Sequence, residues 1–108
     1  MKKLIAILLC MPCMASAEFM SGNNLHAKMT GDFGEKMQAL GFIQSVFDVY
    51  VSVTFCSPEN VTAGQVSDMV KRYLDNNPST RHKTAESLIN QALKQAWPCA
   101  NNRGGTRL

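Results

Sequence analysis

Apolar residues recur most regularly between Phe55 and Cys99. Val66, Met69, Val70, Tyr73 and Leu74 follow one another at spacings of three and four, and so do Ala85, Leu88, Ile89, Ala92, Leu93, Ala96 and Trp97. Each set lays a single apolar stripe along a helix and leaves polar residues on the other side. The flanking signals agree. Thr62 with Gln65 three residues on is a capping box, and Val61 and Val66 stand at the two staple positions. Thr84 caps the second start. The first pattern stops at Asp75-Asn76-Asn77-Pro78, because a residue before proline avoids helical geometry, and Pro98 ends the second. Two amphipathic helices on a short polar connection pack as an antiparallel hairpin.

Upstream, Glu35 to Thr54 carries the longest pattern. Leu40, Ile43, Phe47, Tyr50, Val51 and Thr54 share one face, and Phe42, Val46, Val49 and Val53 widen it towards the other side. A helix apolar almost all round is expected to be central and buried. Gly41 inside it costs about 1 kcal/mol relative to alanine, which suggests a close helix crossing. The β-branched density of Val46 to Thr54 keeps a strand open as an alternative there. Asn23 to Met29 makes a turn or two of helix, capped by Ser21 or Asn23, with Leu25 and Met29 inward, before Gly31-Asp32-Phe33-Gly34 breaks it. The expected fold is all-α. It is a small four-helix domain with a short first helix, a long central one and a C-terminal hairpin.

The first seventeen residues read as a secretory signal peptide. Lys2 and Lys3 precede an apolar run from Leu4 to Met14, and Ala15-Ser16-Ala17 is a small-x-small cleavage site. The run is too short to span a bilayer. Lipidation at Cys10 competes, but the bulky Leu9 before it makes a poor cleavage site. The domain then covers 18–99 and a tail covers 100–108, where Gly104-Gly105 reads as mobile. This places the protein in the periplasm, with no membrane attachment after cleavage.

Cleavage removes Cys10 and Cys13, so Cys56 and Cys99 are the cysteines that stay. An even count in an exported chain favours a disulfide, and buried free thiols are the alternative. These two residues bracket the hairpin, so a Cys56–Cys99 bond would close it. By the chain-entropy model a loop of this length contributes about 4 kcal/mol. The formal charge is +3. It falls to +1 without Lys2 and Lys3, and to −1 without Arg103 and Arg107 of the tail. Such a domain carries no basic footprint for nucleic acid.

The sequence points away from an enzyme. His26 and His82 lie far apart, with no carboxylate or thiol partner evident in sequence, and read as surface or capping residues. No glycine-rich phosphate loop, nucleophile elbow or metalloprotease motif occurs. The acidic residues scatter rather than pair, and the mature cysteines and histidines lack metal-ligand spacing. No cofactor is expected. One polar stretch stands apart, the connection through Asn76, Asn77, Pro78, Ser79, Thr80, Arg81, His82 and Lys83. It reads either as a solvated link with capping duties or as a scaffolded loop that docks into a partner. Arg81 is its strongest contact residue, because a planar fork makes two hydrogen bonds to one carboxylate. His82 reads as a contact or as a brace.

Taken in order, these motifs resemble the Rap–Tai family, the resistance-associated and type VI amidase immunity proteins. The resemblance rests on Gly22-Asn23-Asn24-Leu25, Leu40-Gly41-Phe42-Ile43 with Asp48, and Phe55-Cys56-Ser57-Pro58. It continues through Val61-Thr62-Ala63-Gly64-Gln65, Tyr73-Leu74, Pro78 with Arg81-His82, and Trp97-Pro98-Cys99. Many members carry cysteines at the positions of Met29 and Ala39; both are absent here, which leaves the first helix held by packing. The resemblance implies a periplasmic immunity protein, often dimeric, that blocks a secreted peptidoglycan amidase delivered by a type VI secretion system. It also implies that Asn76 to Lys83 is the loop inserted into the effector's catalytic groove.

A different class competes with it, a periplasmic acid-stress chaperone built from a small helical domain with one long-range disulfide. That activity requires acid to expose apolar surface. The ordered motifs favour the immunity protein.

Overall fold

The computed structural model describes residues 19–100. The expected signal peptide at 1–17 and the tail from 101 onward lie outside them. Four α-helices follow in order, α1 over Gly22–Met29, α2 over Phe33–Tyr50, α3 over Ala63–Asn76 and α4 over Ala85–Ala96, with one 3-10 turn at Pro78–Thr80. Among the described residues no strand forms, and the fold is the small all-α domain that the periodicity predicts.

Each helix begins on a side chain that accepts from its first turn, where backbone N–H groups have no partner within the helix. Ser21 accepts from the amide of Asn24, Thr84 from that of Ser87, and full capping boxes pair Asp32 with Glu35 and Thr62 with Gln65. Each such cap contributes about 1 kcal/mol. The stripes then meet. Leu25 and Met29 of α1, Ala39, Ile43 and Val46 of α2, Val66, Val70 and Leu74 of α3, and Ala85, Leu88, Ile89 and Leu93 of α4 form one core. Every pair of α-helices is in contact. Met29 and Ala39 are both buried in it.

The Cys56–Cys99 disulfide closes the hairpin of α3 and α4, with Cα atoms 4.9 Å apart across a separation of 43 residues. Both cysteines are exposed, so the bond staples the rim of the domain rather than its centre. The amide of Cys56 adds a hydrogen bond to the carbonyl of Trp97, at 2.8 Å.

The long central helix begins at Phe33 on the Asp32 cap, two residues before the expected Glu35 and inside the expected break, and it differs further in three ways. It stops at Tyr50, not Thr54. Val51 turns extended and Ser52 takes a left-handed conformation with φ 67°. The amide of Ser52 donates to the carbonyl of Phe55 at 2.7 Å, and this tight turn drives Phe55 into the core, fully buried against Phe47. Second, α2 is buried along one side only, and Val49 and, beyond its end, Val53 remain 65% and 71% exposed. Three short neighbours cover one flank of an 18-residue helix, and apolar character elsewhere on it cannot summon a fourth. Third, Gly41 marks no crossing, because a Cβ built there would meet nothing within 4 Å. The β-branched run at Val46 to Thr54 is not a strand; one isolated bridge between Val51 and Phe55 is all the extended pairing there.

Candidate functional site

The connection between α3 and α4 is held from both sides. Within it, the Asn77 side chain donates to the carbonyl of Tyr73 at 2.8 Å, which closes the end of α3. Proline at the first position of the 3-10 turn supplies a preset φ and lacks the donor that position would leave idle. The Thr80 hydroxyl and amide both donate to the carbonyl of Asn77, at 3.2 Å each. The amide of Lys83 donates to the carbonyl of Thr80, and Thr84 then caps α4.

From outside, α1 clamps it. The amides of Gly22 and Asn23 donate to the carbonyls of Lys83 and Arg81, both at 2.8 Å, and the amide of Ala85 donates to the carbonyl of Met20 at 2.7 Å. The first two amides of α1 are thereby spent on the loop, and the positive end of its dipole faces loop carbonyls. Only a residue without a side chain fits at this contact, and Gly22 is that residue.

A chain of side chains completes the brace. Nη1 of Arg81 lies 2.7 Å from Nδ1 of His26 and 3.2 Å from Nε2. Nε2 of His26 lies 2.6 Å from the Asp75 carboxylate, whose other oxygen accepts from Lys71 at 3.0 Å. One guanidinium nitrogen within 3.2 Å of both ring nitrogens lies off the in-plane lone pair of either, so Arg81 packs against the imidazole while Nε2 of His26 bonds the Asp75 carboxylate. The hydrogen bond from His26, and then that from Lys71, holds the Asp75 carboxyl below its ordinary value.

The eight loop residues therefore divide. Asn77, Thr80 and Arg81 are half-buried, while Asn76, Pro78, Ser79, His82 and Lys83 are exposed. Arg81 faces the domain and His82 faces outward. His26, which the sequence reads as a surface or capping residue with no evident carboxylate partner, is instead half-buried and bonded to Asp75, a partner 49 positions away. A faint signal exists. His26 follows buried Leu25 and Asp75 follows buried Leu74, so both sit on the margin of an apolar stripe where two helices meet.

Elsewhere, Phe19, Met20, Phe42, Val46, Val49 and Tyr50 line a shallow apolar cavity of about 230 Å³. At its edge the Tyr50 hydroxyl donates to Glu86, and that hydrogen bond, more than the charge, pushes the phenol above its ordinary value. Among the described residues no group of three or more His, Cys, Asp or Glu is placed to hold a metal ion, and no helix is long and apolar enough to cross a membrane.

The described residues thus form a small disulfide-closed four-helix domain in which α1 braces the connection between α3 and α4. The family model of the Rap1a immunity proteins matches residues 21–99, from the cap of α1 to the second cysteine of the disulfide. The chain belongs to the Rap1a immunity protein family. No curated protein matches it.

Proposed function

We propose that this immunity protein acts in the periplasm by binding a secreted peptidoglycan amidase of a type VI secretion system and blocking its catalytic groove with residues 76–83. The family match across 21–99 carries this reading, since it takes in the whole loop and both helices that support it. The export signal at 1–17 supports the compartment. The loop's preorganisation supports the mode of action, because a segment already ordered in the free protein loses less entropy on docking. Its exposed crest of Pro78, Ser79, His82 and Lys83 offers basic side chains to acidic groups at a groove rim. Arg81 then serves the contact from behind, as a brace. Inhibition of this kind is steric and asks no catalysis of the protein. The dimer implied by the resemblance belongs to the same proposal, and sedimentation of the purified protein tests it.

The test of function is protection. Cells making this protein and challenged in the periplasm with the amidase of an adjacent secretion cluster should survive at neutral pH, and the purified pair should form a complex. Changing Ser79, His82 and Lys83 together to alanine should weaken that complex by about 2 kcal/mol or more while helicity stays unchanged. Full protection by the folded triple variant would move the contact surface off the loop. Protection of unrelated clients from aggregation in strong acid, with no effector complex, would replace immunity by chaperoning.

A further inference from the structure

We propose that the apolar cavity between Phe19, Phe42 and Val49 is a second contact for the effector, and that it takes one apolar side chain which the amidase carries beside a basic residue. This rests on the reading that residues 76–83 face such an effector.

The loop alone is too small for the task. A stable protein–protein contact covers about 800 Å² and about 20–30 residues on each partner. Of residues 76–83, Asn76, Pro78, Ser79, His82 and Lys83 are exposed, and none carries a large apolar side chain. Binding energy concentrates where large side chains enter dry pockets near the middle of a contact. The loop offers no such pocket, so the contact must run on to a neighbouring surface.

The cavity begins one residue past Lys83. Thr84 lines it, and the carbonyl of Met20 accepts from the amide of Ala85 at 2.7 Å, which lays Phe19 and Met20 alongside the start of α4. Phe42 and Val49 stand two turns apart on α2 and form the facing wall. Phe19 is 83% exposed and Val49 65%, so this face is open. At about 230 Å³ the cavity is smaller than the sites that bury small-molecule ligands. Those run to about 300–1,000 Å³. Its size suits one aromatic or aliphatic side chain.

The polar groups around it are already engaged, with one exception. The Ser45 hydroxyl donates to the carbonyl of Phe42 at 2.8 Å, the Thr84 hydroxyl accepts from the amide of Ser87, and the Tyr50 hydroxyl donates to Glu86. Glu86 itself pairs with no cation among the described residues. A carboxylate at the edge of an apolar hollow favours an apolar side chain with a cation beside it and opposes one flanked by acid. The groove on the other side of the loop is fringed instead by Arg72, Asn76 and Gln95, whose hydrogen bonds to water must be replaced on docking.

The experiment measures binding, by calorimetry and surface interferometry, between the purified exported protein and the amidase of the adjacent secretion cluster. Val49→Lys puts a charge at the cavity from an exposed position near the C-terminal end of α2, where the helix dipole favours a cation. It should weaken the complex about 30-fold or more while helicity and melting stay unchanged. Val53→Lys, as exposed but outside the cavity, should bind like the wild type. Glu86→Gln keeps an acceptor for Tyr50 and removes the charge, so it should slow association and flatten its dependence on salt. Wild-type affinity in Val49→Lys, or an equal loss in Val53→Lys, overturns the cavity as a contact. So does sedimentation that finds a dimer of the free protein split by Val49→Lys, since the occupant is then a second copy. A loss at Val49→Lys beside full binding by the loop variant keeps the cavity and discards the loop. Absence of any wild-type complex discards both.

Discussion

Gly22 and Arg81 pack so closely that nothing larger than hydrogen fits between them. A Cβ built on Gly22 would stand 2.8 Å from the Arg81 carbonyl oxygen and 3.2 Å from its Cα, with a methyl of Leu88 closer still. The Leu88 methyl can swing away; the backbone of Arg81 cannot, because its carbonyl is bonded to the amide of Asn23. Gly22→Ala should therefore destabilise by about 1–3 kcal/mol, the usual cost of overpacking. Urea denaturation followed by circular dichroism measures it. Amide exchange at Asn23 should rise in the same variant.

Gly41 is the opposite case. It lies in the middle of α2, exposed, with open space where a side chain would go. Gly41→Ala should stabilise by about 0.5–1 kcal/mol, chiefly by narrowing the unfolded ensemble. A loss of stability at Gly41 would mean that a partner or second copy packs there under the conditions of the measurement.

The disulfide closes a long loop on the rim of the domain. Peptide mapping of the exported protein without reductant should recover Cys56 linked to Cys99, and no free thiol should alkylate. Cys99→Ser should lower stability by about 2–4 kcal/mol. The core contacts of α3 and α4 should persist, since Val70, Leu74, Ile89 and Leu93 pack without the bond.

Asp75 adds a measurable acid edge. A carboxyl whose native value is depressed contributes stability that is present above its unfolded value, about 4, and lost as pH falls through the lower native one. Stability of the wild type should therefore decline more steeply than that of Asp75→Asn below about pH 4. The side chain is 43% exposed, so solvent screens the effect and keeps it small. Parallel profiles for the two proteins would show that Asp75 is equally solvated in both states. In alkali, Tyr50 works with the reverse sign. Its raised value means that stability present below about pH 10 is lost as the phenol ionises beside Glu86, and Tyr50→Phe should remove that loss.

The sequence by itself determined the helices and their joints. Periods of three and four at Val66 to Leu74 and Ala85 to Leu93, caps at Ser21, Thr62 and Thr84, and stops at Pro78 and Pro98 are local devices. Each acts within one turn of chain, so each is legible where it stands. The pairing of Cys56 with Cys99 followed from the same pattern, because a hairpin returns its ends to one place. Tertiary structure decided what depends on which surfaces meet. It ended α2 at Tyr50 so that Phe55 reaches the core, and it left Val49 and Val53 in water because no fourth helix covers that flank. It moved the tight glycine contact from Gly41 to Gly22. It also joined His26 to Asp75 and Arg81, across 49 and 55 residues. Beyond a place on the margin of an apolar stripe, side chains that far apart share no sequence signal, and only packing α1 against α3 and the loop brings them within reach.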